Sequence, residues 1–182
     1  MLADGFTFRG QHCSLFGINL LSYRIHDPDL REYEDEADGR AGTIDYGSEF
    51  SKRAIDLKID IEPNDMPFRL RQSQIYNWLK PTLPAGILVF DEIPDRFFYA
   101  KLTGRLSPEQ FYRYGTFDLT LKCTDPFAYG PEIIHESTIT ASPTPIDIQS
   151  LGSEPTPPLI ELTNTGSTTI NLLKLQVEYQ IE

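Results

Sequence analysis

At 182 residues the chain has room for one ordinary domain and an appendage, and its net charge of −11 argues against a non-specific grip on nucleic-acid phosphates. Aromatics at 12%, with 14 prolines and 12 glycines, suit many short strands joined by turns. No apolar run approaches the roughly 20 residues a membrane span requires, and MLADGFTFRG lacks the basic-then-apolar order of a signal peptide, so folding in a cytoplasm is expected.

Phe6-Thr7-Phe8 opens the chain with an alternating pair that Gly10 breaks. Leu15 to Tyr23 has the composition of a second strand, within which Gly17 suggests a bulge or a close approach. Cys13 and Cys123, both in strand contexts, are expected to be reduced, small, buried apolar residues.

Asp27 to Gly42 is different in kind: Asp27, Asp29, Glu32, Glu34, Asp35, Glu36 and Asp38 face only Arg31 and Arg40. With almost no apolar content it cannot belong to a core. Two readings stand, a solvated loop or an arm that becomes ordered against a neighbour. Calcium is disfavoured, because the segment lacks the alternating acidic register and terminal glutamate of a calcium loop.

Ile55, Leu57, Ile59 and Ile61 alternate with Asp56, Lys58 and Asp60, which predicts an antiparallel strand with one face on a core and one in water. Phe68 to Lys80 is the helix candidate, with Leu70, Gln74, Ile75, Trp78 and Leu79 at helical spacing. Asn64 or Asp65 could cap it, Pro67 suits its first turn, and Pro81 and Pro84 end it. Trp78, the single tryptophan, is expected to anchor the helix on the sheet.

Ile87 to Phe90 is a short apolar strand, Asp91 to Asp95 a turn, Phe97 to Leu106 a strand broken by Gly104, and Tyr112 to Thr124 the last strand of a three-stranded meander. Asp125-Pro126 stops it, since proline offers no amide hydrogen to a ladder. Phe127 and Tyr129 are then expected to cover the end of the core, so that Phe127→Ala would cost about 3–5 kcal/mol if the ring is buried. The expected class is α+β, mainly β, with one helix on an antiparallel sheet.

Beyond Gly130 the chain is rich in proline, serine and threonine. Leu159 to Leu162 and Ile170 to Tyr179 have strand-like sequences joined by a turn at Asn164-Thr165-Gly166. These are too few for a secure core of their own, so residues 131–182 are expected to be a short β-rich extension that packs on the main domain, pairs with another chain, or opens an abbreviated second domain.

Little points to chemistry. His12, His26 and His135 have no metal spacing, and no phosphate loop or nucleophile elbow occurs. Neither cofactor, metal nor catalytic residues are expected. Asp91, Glu92 and Asp95 could mimic paired glycosidase carboxylates, but a polar turn explains them as well. Phe111, Tyr112 and Tyr114 could form a sugar-binding face, the alternative being a carbohydrate-binding β-sandwich module.

Two stretches carry a family resemblance. One runs Pro94-Asp95-Arg96-Phe97-Phe98-Tyr99 after an acidic turn. The other is the last strand ending in Asp125-Pro126-Phe127-Ala128-Tyr129. In this order and spacing they resemble the N-terminal domain of siphophage distal tail (Dit) proteins, over roughly residues 1–130. The resemblance implies a split-barrel-like antiparallel sandwich with one helix and a protruding hairpin arm. It implies a non-enzymatic virion component at the tail tip: a homohexameric ring that joins the tail tube protein to a tail-tip hub or tail-associated protein, and to a receptor-binding protein, while DNA passes through. On this reading Asp29, Arg31, Glu32, Tyr33, Glu34 and Arg40 belong to an inter-subunit arm. Pro94, Asp95, Arg96, Tyr99, Asp125, Pro126, Phe127 and Tyr129 are structural, and residues 131–182 are an abbreviated galectin-like domain. An acidic ring suits a lumen to which DNA must not stick; neither specific nucleic-acid binding nor membrane contact is implied.

Overall fold

Strand β6, Arg53–Ile61, is the centre of the molecule. Its period-two pattern is realised in full: Ile55, Leu57, Ile59 and Ile61 are buried while Asp56 and Lys58 lie in water. On one side it pairs with the long last strand β10, Tyr114–Cys123, in unbroken antiparallel register from Gly115 opposite Ile61 to Cys123 opposite Arg53. Phe117, Leu119, Leu121 and Cys123 of β10 face the same core. Each such side chain contributes about 1.5–3 kcal/mol by leaving water. The computed structural model describes residues 5–39, 41–62, 66–104, 109–111, 114–149 and 152–178, with backbone alone for 109–111 and 114.

The other strands follow from these two. β1 (Phe6–Phe8) and the two-residue β2 (Gln11–His12) form a tight hairpin. β3 (Ile18–Ile25) pairs with β6 on the side away from β10, with a bulge between Leu20 and Ser22 that turns Leu21 out to solvent. β7 (Gly86–Phe90) and β8 (Phe97–Thr103) complete the meander, and β9 (Glu109–Phe111) pairs with the start of β10. The resulting order is β2-β1-β7-β8-β10-β6-β3, all antiparallel. The sheet curls without closing. Tyr23 of the edge strand β3 stacks on Phe90 of β7 with ring centroids 4.2 Å apart, and its hydroxyl donates to Glu92. This is the mainly β, split-barrel-like arrangement with one helix that the sequence implies.

The helix α1, Phe68–Leu79, lies over the core through Phe68, Arg71, Ile75, Trp78 and Leu79. Leu70, expected on the inner face, is exposed, and Phe68 and Arg71 replace it. Pro67 is the N-cap residue and supplies no side-chain cap; the proposed caps Asn64 and Asp65 lie outside the described residues. Gly17 does not bulge a strand. It ends a 3-10 turn, Cys13–Phe16, in the left-handed region at φ 60°, and a Cβ there would sit 2.7 Å from the Arg71 guanidinium. Cys13 therefore lies in that turn rather than in a strand, although both cysteines are buried and free as expected.

Burial has a measurable consequence at Cys123, where it pushes the thiol from 9.0 up to about 11. The unfolded chain ionises this group first, so its contribution is complete below pH 9 and is lost as pH rises from 9 towards 11. At about 1.4 kcal/mol per unit that amounts to about 2–3 kcal/mol. Urea titrations at pH 8 and pH 11 should show Cys123→Ala losing less stability over that interval than the parent. An equal loss would contradict the assignment.

The chain divides after Ile133 into two units. In the second, residues 134–182, no strand or helix forms among the described residues, which corrects the expected strands at Leu159 to Leu162 and in Ile170 to Tyr179. The expected turn does form, with Asn164 Oδ1 accepting from the Gly166 amide at 3.0 Å. Alternation offers one apolar face, and a strand needs a surface to put it on. Here the alternating Leu173, Leu175 and Val177 are all exposed, at 53–56%.

Candidate functional site

The acidic segment forms one strand and the turn of a hairpin. β4 (Leu30–Glu36) and β5 (Thr43–Phe50) form a two-stranded sheet separate from the main one, and none of their described residues is buried. Its root is clamped by backbone bonds: the Asp29 amide donates to the Lys52 carbonyl at 2.8 Å, and the Ser51 amide to the Asp29 carbonyl at 2.7 Å. Asp29 also pairs with the Lys52 ammonium at 3.7 Å. Along the ladder Arg31 stands opposite Glu49, and Glu32 opposite Ser48. The Tyr33 hydroxyl donates to Glu49 at 3.0 Å, and Glu34 faces Asp45. Arg40 lies outside the described residues. A two-stranded ribbon with both faces wet has no core to hold it. Such an element is suited to contact with something other than its own domain.

The two motif stretches meet just beyond the C-terminal end of β10, the same end from which the arm leaves. Phe97 and Tyr129 exchange both backbone hydrogen bonds at 2.9 Å, and their rings stack 5.6 Å apart. Tyr99 packs edge-on against both. Asp125 organises the turn by accepting from the Phe127 amide at 3.1 Å and from the Tyr129 hydroxyl. That carboxylate, with burial behind it, pushes the Tyr129 phenol above its ordinary range. The clasp sits on the outer face of the sheet, because the inward positions of β8 are Phe98, Ala100 and Leu102. Pro94, Asp95 and Arg96 form an exposed turn closed by the Arg96 amide on the Ile93 carbonyl at 3.1 Å.

The expected burial of Phe127 is thereby corrected. Pro126 is the buried member of the turn, whereas Phe127 is half-buried and meets Phe50, at the end of the arm, edge-on at 6.1 Å. Phe127→Ala should cost about 1–2 kcal/mol in chemical denaturation, because roughly half the ring's area leaves water. A loss above about 3 kcal/mol would restore the core reading.

The remaining candidates have structural partners. Trp78 is buried among Phe6, Phe8 and Phe16, and its indole N–H donates to the Phe8 carbonyl at 3.0 Å. Asp91 accepts from His12 Nε2 at 3.0 Å and from the Gly5 amide at 3.1 Å, pinning the β1–β2 hairpin to the turn after β7. Glu92 holds Tyr23. These carboxylates are thus turn fasteners, with partners that lie 69 to 86 residues away in sequence. No trio of metal-ligating side chains gathers among the described residues. Of the proposed sugar face, Tyr112 lies outside the described residues, and Phe111 and Tyr114 are described by backbone only.

A family model described as the phage tail protein RIFT-related domain matches residues 11–123. The chain belongs to this family. It is therefore related to phage tail proteins, in keeping with the Dit resemblance of its motifs. The match ends at the last residue of β10, so the Asp125 to Tyr129 clasp stands immediately beyond it. No curated protein matches the chain. Among solved structures, the Dit protein of phage SPP1, described as a paradigm of the hub adsorption apparatus in phages infecting Gram-positive hosts, aligns with a TM-score of 0.61. Identity is 16%, over 71% of this chain and 53% of that one, so the likeness is one of fold, and this chain spans about half of the length of that one.

Proposed function

We propose that this phage tail protein is a structural, non-enzymatic hub of the tail tip. Copies assemble into a hexameric ring that joins the tail tube protein to the tail-tip hub, tail-associated and receptor-binding proteins and lets DNA pass. The observation that carries the reading is the arm: a well-formed ribbon none of whose described residues is buried within its own chain. In a ring it has a function, since it can lie on the adjacent protomer. Family membership and the Dit-like fold support the tail-tip setting, and the net charge of −11 suits a lumen that repels a passing polyanion. Residues 131–182 are read as an abbreviated second segment whose alternating apolar residues are covered on assembly.

A photo-crosslinking residue at Tyr46, which is 66% exposed on β5, tests the arm. Irradiation of the assembled protein should give covalent dimers and higher ladders of the same chain. Monomer alone at assembling concentrations would contradict an arm that reaches across.

A further inference from the structure

We propose that the acidic tip of the β4–β5 arm docks on a lysine pair near the root of the arm in a second copy of the chain. The inference rests on the reading of the arm as an inter-subunit element and names the surface that receives it. Lys101 on β8 and Lys122 on β10 stand directly opposite each other. Their neighbours Ala100, Leu102, Leu121 and Cys123 are buried, so both ammonium groups belong to the outer face. Neither has a carboxylate partner among the described residues, where the ion pairs are His12–Asp91, His26–Asp56 and Lys52–Asp29. Like charges directly opposite each other in a sheet are destabilising. In a chain of net charge −11, an anionic partner supplied from outside would relieve this pair.

Lys122 also lines a shallow groove with Arg31, Lys52, Ser51, Thr124 and Glu49, the last being the one carboxylate among the lining side chains. Cations therefore gather where the arm leaves the domain. The tip has the opposite composition. Glu34 stands directly opposite Asp45, a second like-charged cross-strand pair, with Asp35, Glu36 and Asp38 beside it, all of them exposed. One surface thus carries an unrelieved cationic pair and the other an unrelieved anionic pair. A hydrogen-bonded ribbon rising about 3.4 Å per residue holds its tip away from its own root. The two pairs can meet only between molecules. Contact of the tip of one copy with the root of the next is head-to-tail, and such contacts close into a ring when the rotation between copies allows.

Charge reversal tests this on the full-length chain. Lys101→Glu/Lys122→Glu and Glu34→Lys/Asp45→Lys should each fold as the parent does by circular dichroism, and each should assemble at least about tenfold more weakly. Mixed in equal amounts they should assemble again, because each tip now meets a root of opposite sign in the other variant. Should a reversed variant fail to fold, Lys101→Gln/Lys122→Gln replaces it and should weaken assembly in the same direction. Variants that assemble like the parent, or a mixture that does not recover, would overturn the docking surface while the ring stands. A parent that never assembles would overturn the underlying arm reading instead.

Discussion

Trp78→Ala should destabilise the protein by about 3–5 kcal/mol, the largest effect expected of any single substitution here. The indole is 7% exposed and stacks on Phe16 at 4.4 Å and Phe6 at 5.7 Å, with Phe8 edge-on at 5.9 Å. Three separate elements, β1, the 3-10 turn and α1, are thus joined through one side chain. Truncation would open a cavity that none of these elements can easily close. It would also strand the Phe8 carbonyl, which accepts the indole N–H at 3.0 Å, and a buried acceptor left without its partner adds about 1–3 kcal/mol. A small domain has about 5–15 kcal/mol in total, so the variant should unfold at much lower urea. Trp78→Phe keeps a ring and loses the hydrogen bond, and should fall between the two. A loss below about 1 kcal/mol for Trp78→Ala would show that the helix is held on the sheet by other residues.

Excision of the arm should have the opposite profile, with little effect on folding and a large one on assembly. Replacing Arg31 to Glu49 by a two-residue turn removes residues of which none described is buried. The clamp between Asp29, Ser51 and Lys52 is retained. The unfolding midpoint should therefore move little, within the range of ordinary surface changes of about 0.5 kcal/mol. Assembly should weaken by two orders of magnitude or more, about 2.7 kcal/mol or above. Circular dichroism with analytical ultracentrifugation separates the two effects. An excised variant that unfolds would mean the ribbon supports its own domain. One that assembles as the parent does would mean that the ring closes through other surfaces.

Much of the fold is legible in the sequence because its core strands have one wet face. Ile55 to Ile61 and Phe117 to Cys123 announce themselves by alternation, and both lie where expected. The arm is half legible. Charge marks Asp27 to Gly42 as excluded from a core, but β5 leaves no period-two signal because both of its faces are in water. In the tail alternation misleads in the other direction. It reports a capacity to cover a surface, and the described residues of 134–149 and 152–178 form no strand.

The clasp was recognisable as a motif, but its position was not. Phe97, Phe98 and Tyr99 are consecutive aromatics, so parity alone cannot say which face is inward; only the register with β7 and β10 places Phe98 inside. Contacts such as His12 with Asp91 and Tyr23 with Glu92 leave no local trace, since their partners lie far apart in the chain and meet only when the sheet curls. The like-charged pairs Lys101–Lys122 and Glu34–Asp45 also depend on register, and appear only once the strands are aligned.

The central claim is that this chain is a ring-forming hub, and the mass of the purified protein across micromolar concentrations tests it most directly. Light scattering coupled to size exclusion, with particle images of the same fractions, should give closed rings of six times the 20.7 kDa protomer. A single protomer mass at every concentration, with no ring in the images, would contradict it.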